Sequence, residues 1–157
     1  MVLARVLSGG DVDMAVTYTI DAQQRLLRTQ CVGLVTFDEV VAHFRELGLD
    51  PECREHLDVF LDLSETTSLP ESSQVKTVSY EIQRIQDKVK FDACAVVATR
   101  DALFGMMRMF EVAAQQYFRD IRVFRVAAEA EAWLQSQRQR SATVGDGMKA
   151  QGADAKG

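Results

Sequence analysis

The sequence predicts an α/β fold in which a single domain is built on a mixed, mostly parallel five-stranded sheet. Short apolar runs that suit strands alternate with amphipathic stretches of helical period through the middle of the chain. The run Ala93–Ala98 is apolar without interruption, as in a strand that is covered on both faces. With 157 residues, of which 47% are apolar, the chain is long enough for one core.

The first predicted elements are a hairpin and a helix. Thr17–Ile20 and Leu26–Val32 have the character of two strands joined by a polar turn. A capping box of T-x-x-E spacing begins at Thr36, and it predicts a helix over Phe37–Leu47. The glycine at position 48 is predicted to end this helix, because glycine favours the left-handed conformation that follows a helix.

Strands and helices then alternate to the end of the predicted domain. The next strand is Leu57–Leu63, and Ala93–Ala98 is the fourth. Between them, apolar residues at spacings of three and four predict an amphipathic second helix: Val75, Val78, Ile82, Ile85 and Val89. A third helix (102–118), a fifth strand (121–126) and a short last helix (129–134) complete the order β-β-α-β-α-β-α-β-α. Right-handed crossovers place the helices largely on one face of the sheet.

Both ends of the chain differ from the middle in composition. Residues 1–14 contain no aromatic side chain and read as a flexible leader, with Met14 as an alternative start. Residues 137–157 hold four glycines and no bulky cluster, which predicts a disordered tail. The folded domain is therefore predicted over residues 15–136.

Charge and cysteine content narrow the class of protein. The net charge of −5 argues against a general nucleic-acid or anionic-membrane binder, because both require a basic face. No stretch approaches the roughly 18 apolar residues of a membrane helix, so no integral membrane segment is expected. Three cysteines without C-x-x-C spacing are typical of a reduced compartment, and a cytoplasmic location is predicted.

A polar loop is the first candidate site. The apolar run that begins at Leu57 passes into serine and threonine residues before the second helix. Ligands of open α/β sheets bind at the carboxyl ends of strands, so this loop is predicted to contact a partner or ligand. The alternative is that its carboxylate only accepts N–H bonds from its own loop. The candidate residues are Asp62, Ser64, Thr66 and Thr67.

Apolar residues on the polar side of two helices form the second candidate site. On the third helix, Phe104, Met109 and Val112 fall with Arg108 outside the arc that faces the core, and Tyr80 falls likewise on the second helix. Methionine suits adaptable contacts, so these residues are predicted to form a partner surface. The alternatives are scattered exposed apolar residues, or burial beneath a neighbouring element.

The histidines and cysteines predict no metal centre. His43 and His56 are expected to be solvated, and no third ligand accompanies the pair that His56 makes with Cys53. Cys31 and Cys94 fall in strands and are predicted to be small core residues. Cys53 has an arginine neighbour; it is either an ordinary loop thiol or one with a lowered pKa.

Four segments together resemble the STAS superfamily, whose fold is that of the SpoIIAA-like anti-sigma-factor antagonists. They are Tyr18–Thr36, Asp58–Glu65, Ala95–Glu111 and Val123–Leu134. The chain is more similar still to bacterial proteins grouped between STAS domains and CRAL-TRIO lipid-transfer domains. This resemblance implies a SpoIIAA-like single domain.

The resemblance also implies a regulatory site. In the antagonists, a partner kinase phosphorylates a serine at the start of the helix after the polar loop, and Ser72 and Ser73 are the matching positions. A phosphate there would meet free N–H groups and the positive end of the helix dipole. The alternative is that Ser68, Ser72 or Ser73 only caps the helix.

The function predicted is that of a non-enzymatic regulatory module that docks to a protein partner or to a second copy as a homodimer. The runner-up, implied by the lipid-transfer side of the resemblance, is a carrier or sensor of an apolar small molecule or lipid. No catalytic constellation, metal site or cofactor motif is found in the sequence. The feature that separates the two functions is interior space, because a carrier needs an apolar cavity of at least a few hundred cubic ångströms.

Overall fold

The computed structural model describes the backbone of residues 2–6, 15–53 and 56–153 and the side chains of residues 15–53 and 56–140. Within these ranges the strands are β1 (Val2–Val6), β2 (Val16–Asp21), β3 (Leu26–Gly33), β4 (Leu57–Thr66), β5 (Phe91–Val97) and β6 (Asp120–Phe124). The helices are α1 (Phe37–Leu49), α2 (Ser72–Ile85), α3 (Asp101–Ala114) and α4 (Ala127–Ala153), and a 3₁₀ turn spans Gln115–Tyr117.

The strands lie in one sheet in the same order as they occur in the chain. β1, β2 and β3 pair antiparallel, whereas β3, β4, β5 and β6 pair parallel. The predicted fold class, an α/β domain with a mixed, mostly parallel sheet, is therefore confirmed. The five predicted strands correspond to β2–β6.

β1 is a sixth strand that the sequence analysis did not predict. Val2–Val6 pairs with β2 along its length, where a flexible leader was expected. The physical reason is that β2 would otherwise be an edge with unpaired N–H and C=O groups, and the segment VLARV is rich in residues that suit strands. Residues 7–14, including Met14, lie outside the described part of the chain.

Apolar clusters cover both faces of the sheet. The larger cluster joins α1, α2 and α3 to one face, which confirms that the helices lie largely on one side. The smaller cluster joins α4 to the other face, where Ala130 and Leu134 pack on Phe60 and Ala95. β5 lies between the two clusters, and this explains its uninterrupted apolar sequence.

Ionic contacts fix α4 on its face of the sheet. Arg28 in β3 makes two hydrogen bonds to the carboxylate of Glu131, and Arg138 donates to the buried Asp58 at 3.2 Å. Gln137 is also buried. α4 thus continues beyond the predicted short helix, and residues 137 and 138 contact the domain rather than belonging to a disordered tail. Residues 154–157 lie outside the described range.

The start of α1 follows its predicted capping box. Thr36 Oγ1 accepts the Glu39 N–H at 3.2 Å, and the Glu39 carboxylate accepts the Thr36 N–H at 3.1 Å. The predicted end is wrong, because Gly48 lies inside the helix and Asp50 is the C-cap. A Cβ atom on Gly48 would lie 2.9 Å from Cγ2 of Ile85, so the glycine allows α1 to approach α2 closely.

Two glycine substitutions are expected to change stability in opposite directions. Gly48→Ala should lower the free energy of unfolding by about 1–3 kcal/mol, because the branched Ile85 side chain cannot easily move away. Gly105→Ala, in the middle of α3 with no atom within 4 Å of the new Cβ, should raise it by up to about 1 kcal/mol. Urea unfolding of both variants measures the difference. Equal effects would show that α1 and α2 are not in close contact at Gly48.

Candidate functional site

In the described part of the chain, a cavity lies between the sheet and helices α1–α3. Its volume is about 520 Å³. Strand residues such as Leu27, Val59 and Leu61 form one wall, and helix residues such as Val40 and Val78 form the other. The lining is predominantly apolar, as in sites that bind small organic molecules.

The partial exposure of Leu61 shows that the cavity extends between the central strand β4 and the helices. Leu61 lies in β4, which pairs with strands on both sides, and it faces the helices. Even so, its side chain is only half-buried, although its neighbour Phe60 on the opposite face is buried under α4. Because Leu61 lines the cavity, the exposed part of its side chain faces this space.

The cavity opens at the carboxyl ends of β3 and β4. Leu34, in the loop before α1, and Leu69, in the loop before α2, both line the cavity and are exposed to solvent. Two hydrogen bonds connect these loops. The Thr67 N–H donates to the Gly33 carbonyl at 2.8 Å, and the Val35 N–H donates to Oγ of Ser68 at 3.1 Å. A fixed apolar mouth is the result.

The predicted polar loop is partly a continuation of β4. The strand runs to Thr66, and its pairing with β3 has an irregular register after Gln30. The Asp62 carboxylate accepts the Ser64 N–H at 2.9 Å. This is the bracing bond that the alternative interpretation predicted. Of the four candidate residues, only Thr66 lines the cavity, while Thr67 is exposed at its edge. The structure therefore does not bring Asp62 and Ser64 to the mouth.

Ser72 and Ser73 occupy the first turn of α2, and both are exposed. The cap of this helix is formed by Glu71 and Gln74, each of which accepts a backbone N–H from the other. The prediction that a serine caps α2 is therefore wrong, since a longer carboxylate and amide pair takes that role. The hydroxyl of Ser68 instead accepts the N–H from the loop before α1.

The predicted partner surface is exposed in part. Tyr80, Met109 and Val112 are all solvent-exposed. Arg108 is exposed as well, and it forms an ion pair with Glu111 one turn further along α3 at 3.1 Å. The role of these residues in binding a partner remains a prediction.

Phe104 does not belong to this exposed surface. Its ring is half-buried against the main apolar cluster, and the Arg125 guanidinium lies 4.2 Å from the ring centroid. Arg125 also pairs with Asp101. The alternative interpretation, burial beneath a neighbouring element, applies to this residue because the segment after β6 covers it.

His43 is buried in the cavity wall, so the expectation of a solvated side chain is wrong. It is 5% exposed, and its ring contacts Tyr18 and Phe44 with centroids 5.4 and 5.5 Å apart. Nε2 lies 3.3 Å from Oγ1 of Thr29, whereas Nδ1 has no hydrogen-bond partner among the described residues. Burial lowers the pKa of His43 to about 4, so the ring is neutral at pH 7.

The sequence carried a signal for this burial. Val40, His43, Phe44 and Leu47 follow the i, i+3, i+4, i+7 spacing of one helix face. His43 therefore occupies a core position on α1. Its helical register was a better guide to its environment than its polarity.

All three cysteine thiols are buried, and none forms a disulfide. Burial raises the pKa of Cys31 and of Cys53 to about 12, with a further contribution to Cys53 from Asp50, and burial also raises the pKa of Cys94. The lowered pKa considered for Cys53 is therefore wrong. Cys31 and Cys94 are core residues, as predicted. His56 is exposed beside Asp92, and the described residues contain no cluster that could hold a metal ion.

The comparison with known proteins gives a structural likeness. No family model and no curated protein matches this sequence. Among solved structures, the chain is similar to an uncharacterized protein of the DUF3478 family with a SpoIIAA-like fold from Shewanella loihica PV-4. The two are 16% identical, the match covers 80% of this chain and 99% of the other, and the TM-score is 0.49.

None of the helices in the described residues combines the length and the apolar character needed to cross a bilayer.

Proposed function

We propose that the protein is a non-enzymatic carrier or sensor that binds an apolar small molecule between the sheet and helices α1–α3. The observation that carries this proposal is the cavity of about 520 Å³, with its apolar lining and its mouth at the carboxyl ends of β3 and β4. Sites for small organic ligands occupy roughly 300–1,000 Å³ and favour this edge of an α/β sheet.

The apolar lining of the cavity favours an apolar occupant. Water that enters through the mouth wets apolar side chains, which is unfavourable. An apolar ligand would replace that water and make packing contacts with the lining.

A substitution that fills the cavity should weaken ligand binding without unfolding the protein. We expect the wild-type protein to bind N-phenyl-1-naphthylamine, a neutral dye whose fluorescence rises in apolar surroundings. Leu61→Trp places a larger ring in the cavity and should weaken binding at least tenfold, with the melting temperature unchanged or raised. The matched control is Val112→Trp, at a position of α3 that is 72% exposed, and it should bind like wild type.

Two results would contradict the proposal. One is failure of the wild-type protein to bind any neutral apolar dye. The other is equal binding by Leu61→Trp and Val112→Trp when both variants are folded, because the dye would then be bound outside the cavity. Native mass spectrometry of protein purified from its own cells, followed by solvent extraction, would identify a retained molecule.

The predicted regulatory module is the second candidate function. Its support is the exposure of Ser72 and Ser73 at the start of α2, next to Glu71, which lines the mouth of the cavity. A phosphate at either serine would meet the free N–H groups of the first turn. Phosphopeptide mapping of protein from its own cells tests this function. A Ser73→Asp variant that captures every partner as wild type does would count against it.

A further inference from the structure

Two helices begin at the mouth of the cavity. The N-cap residues of α1 and α2 are Thr36 and Glu71, and both line the cavity. The first N–H groups of a helix have no partner within it, and they lie at the positive end of the helix dipole. Such a helix start commonly binds an anion. In the absence of other charges, the mouth of this cavity would therefore suit an anionic headgroup.

A glutamate of the chain itself occupies each of these helix starts. At the start of α1, the Glu39 carboxylate accepts the Thr36 N–H at 3.1 Å. At the start of α2, the Glu71 carboxylate accepts the N–H of Gln74. Both helix starts therefore already carry a carboxylate, and an anionic headgroup at the mouth would meet two negative charges.

The lining of the cavity offers no positive charge to an anion. No lysine or arginine lines the cavity in the described part of the chain. The His43 ring is neutral at pH 7, because burial lowers its pKa to about 4. Arg100 lies near the mouth, where its guanidinium donates to the Ser68 carbonyl, but it is not part of the lining. A carboxylate that enters the cavity would therefore be buried without a counter-ion, which is strongly unfavourable.

We propose that the ligand carries no negative charge, and that Glu39 and Glu71 exclude fatty-acid carboxylates and similar anionic amphiphiles at the mouth. This inference rests on the proposed function, and it names the ligand class that the cavity selects. An amphiphilic anion has two ways to bind. With its headgroup inside, the charge is buried without a partner; with its headgroup at the mouth, it is repelled by the two glutamates. A neutral molecule with the same apolar body is subject to neither penalty.

Competition against N-phenyl-1-naphthylamine tests the inference with 1-decanol and decanoate, which have equal chain length. At pH 8 and an ionic strength of about 0.01 M, 1-decanol should displace the dye from the wild-type protein at a concentration at least about tenfold lower than decanoate. Glu71→Gln keeps an oxygen atom that can accept the Gln74 N–H, but it removes the charge. It should lower the required decanoate concentration about threefold and leave the 1-decanol concentration nearly unchanged.

The matched control is Glu129→Gln, which removes one exposed carboxylate from the first turn of α4 on the opposite face of the sheet. It should leave both probe concentrations as in wild type. Glu39→Gln, at the start of α1, is a second test variant, and it should act in the same direction as Glu71→Gln. An ionic strength of about 0.5 M should reduce both effects, because salt screens exposed charges.

Other outcomes overturn the inference and are distinguishable from failure of the proposed function. Displacement by decanoate at a lower concentration than by 1-decanol would show that the wild-type cavity selects an anion. Equal decanoate concentrations for the variants at positions 39, 71 and 129 would show that the charge at the mouth does not select the ligand. A Glu71→Gln effect of the same size on both probes would show that this glutamate acts only through the structure of its loop. Absence of dye binding to the wild-type protein would refute the proposed function itself.

Discussion

Acidification from pH 7 to pH 4 is expected to lower the free energy of unfolding by about 3 kcal/mol through His43 alone. The pKa of this buried ring is lowered from 6.5 to about 4 in the folded protein. Between these values the unfolded chain binds a proton that the folded protein does not, so stability falls as the pH falls. Each unit of the difference corresponds to about 1.4 kcal/mol.

Urea unfolding at a series of pH values measures this effect. Carboxylates also contribute to acid destabilisation, so the informative quantity is the difference in slope between wild type and His43→Phe from pH 6.5 to 4. His56→Asn is the control, because His56 is exposed and its φ of 65° is one that asparagine tolerates. The slope should change more in His43→Phe than in this control. Parallel curves for wild type and His43→Phe would mean that His43 is hydrated in solution.

Termination of the chain before Trp133 is expected to destabilise the domain by at least about 5 kcal/mol, because loss of a large aromatic or a buried leucine alone costs several kcal/mol. Trp133 packs on Phe124 with ring centroids 5.6 Å apart, and Leu134 is 3% exposed in the cluster beneath α4. Removal of Arg138 would also leave Asp58 buried without its arginine. Since domains are stable by about 5–15 kcal/mol, most of this protein should be unfolded.

A chain that ends after Arg140 is the matched control. The contacts described between α4 and the sheet lie at or before residue 138. This shorter protein should therefore unfold within about 1 kcal/mol of the full-length chain, consistent with the small effect of changes away from packed features. Thermal unfolding by circular dichroism compares the two truncations. Similar melting temperatures for both would show that α4 contributes little to the fold.

The sheet and most helices could be predicted because their signals are local. The capping box at Thr36 specifies where α1 begins, and the apolar run in β5 reflects a strand covered on both faces. A polar turn joins β2 and β3 into a hairpin. Each end of these two strands lies within one residue of its predicted position. Each of these signals depends on neighbours within a few positions in the chain.

The site was harder to predict because it depends on contacts between distant residues. A cavity is a region without atoms, so its volume follows from how α1 and α2 are spaced from the sheet rather than from any one residue. Phe104 resembles an exposed residue in its own helix, but it packs against the main apolar cluster, and Arg125, 21 positions later, lies over its ring. Gly48 likewise ends no helix but accommodates Ile85 of α2. Helical spacing alone could not reveal either contact.

The agreement between strand order and chain order has a consequence for how the protein folds during synthesis. From β2 onward, each new strand adds to the strand made just before it, so the sheet can grow in order as the chain leaves the ribosome. Helices α1–α3 are made between these strands and can cover their face at once. The opposite face, with Leu26, Phe60 and Ala95, stays uncovered until α4 emerges. During that interval the nascent chain exposes an apolar sheet, which is where a chaperone would be expected to bind.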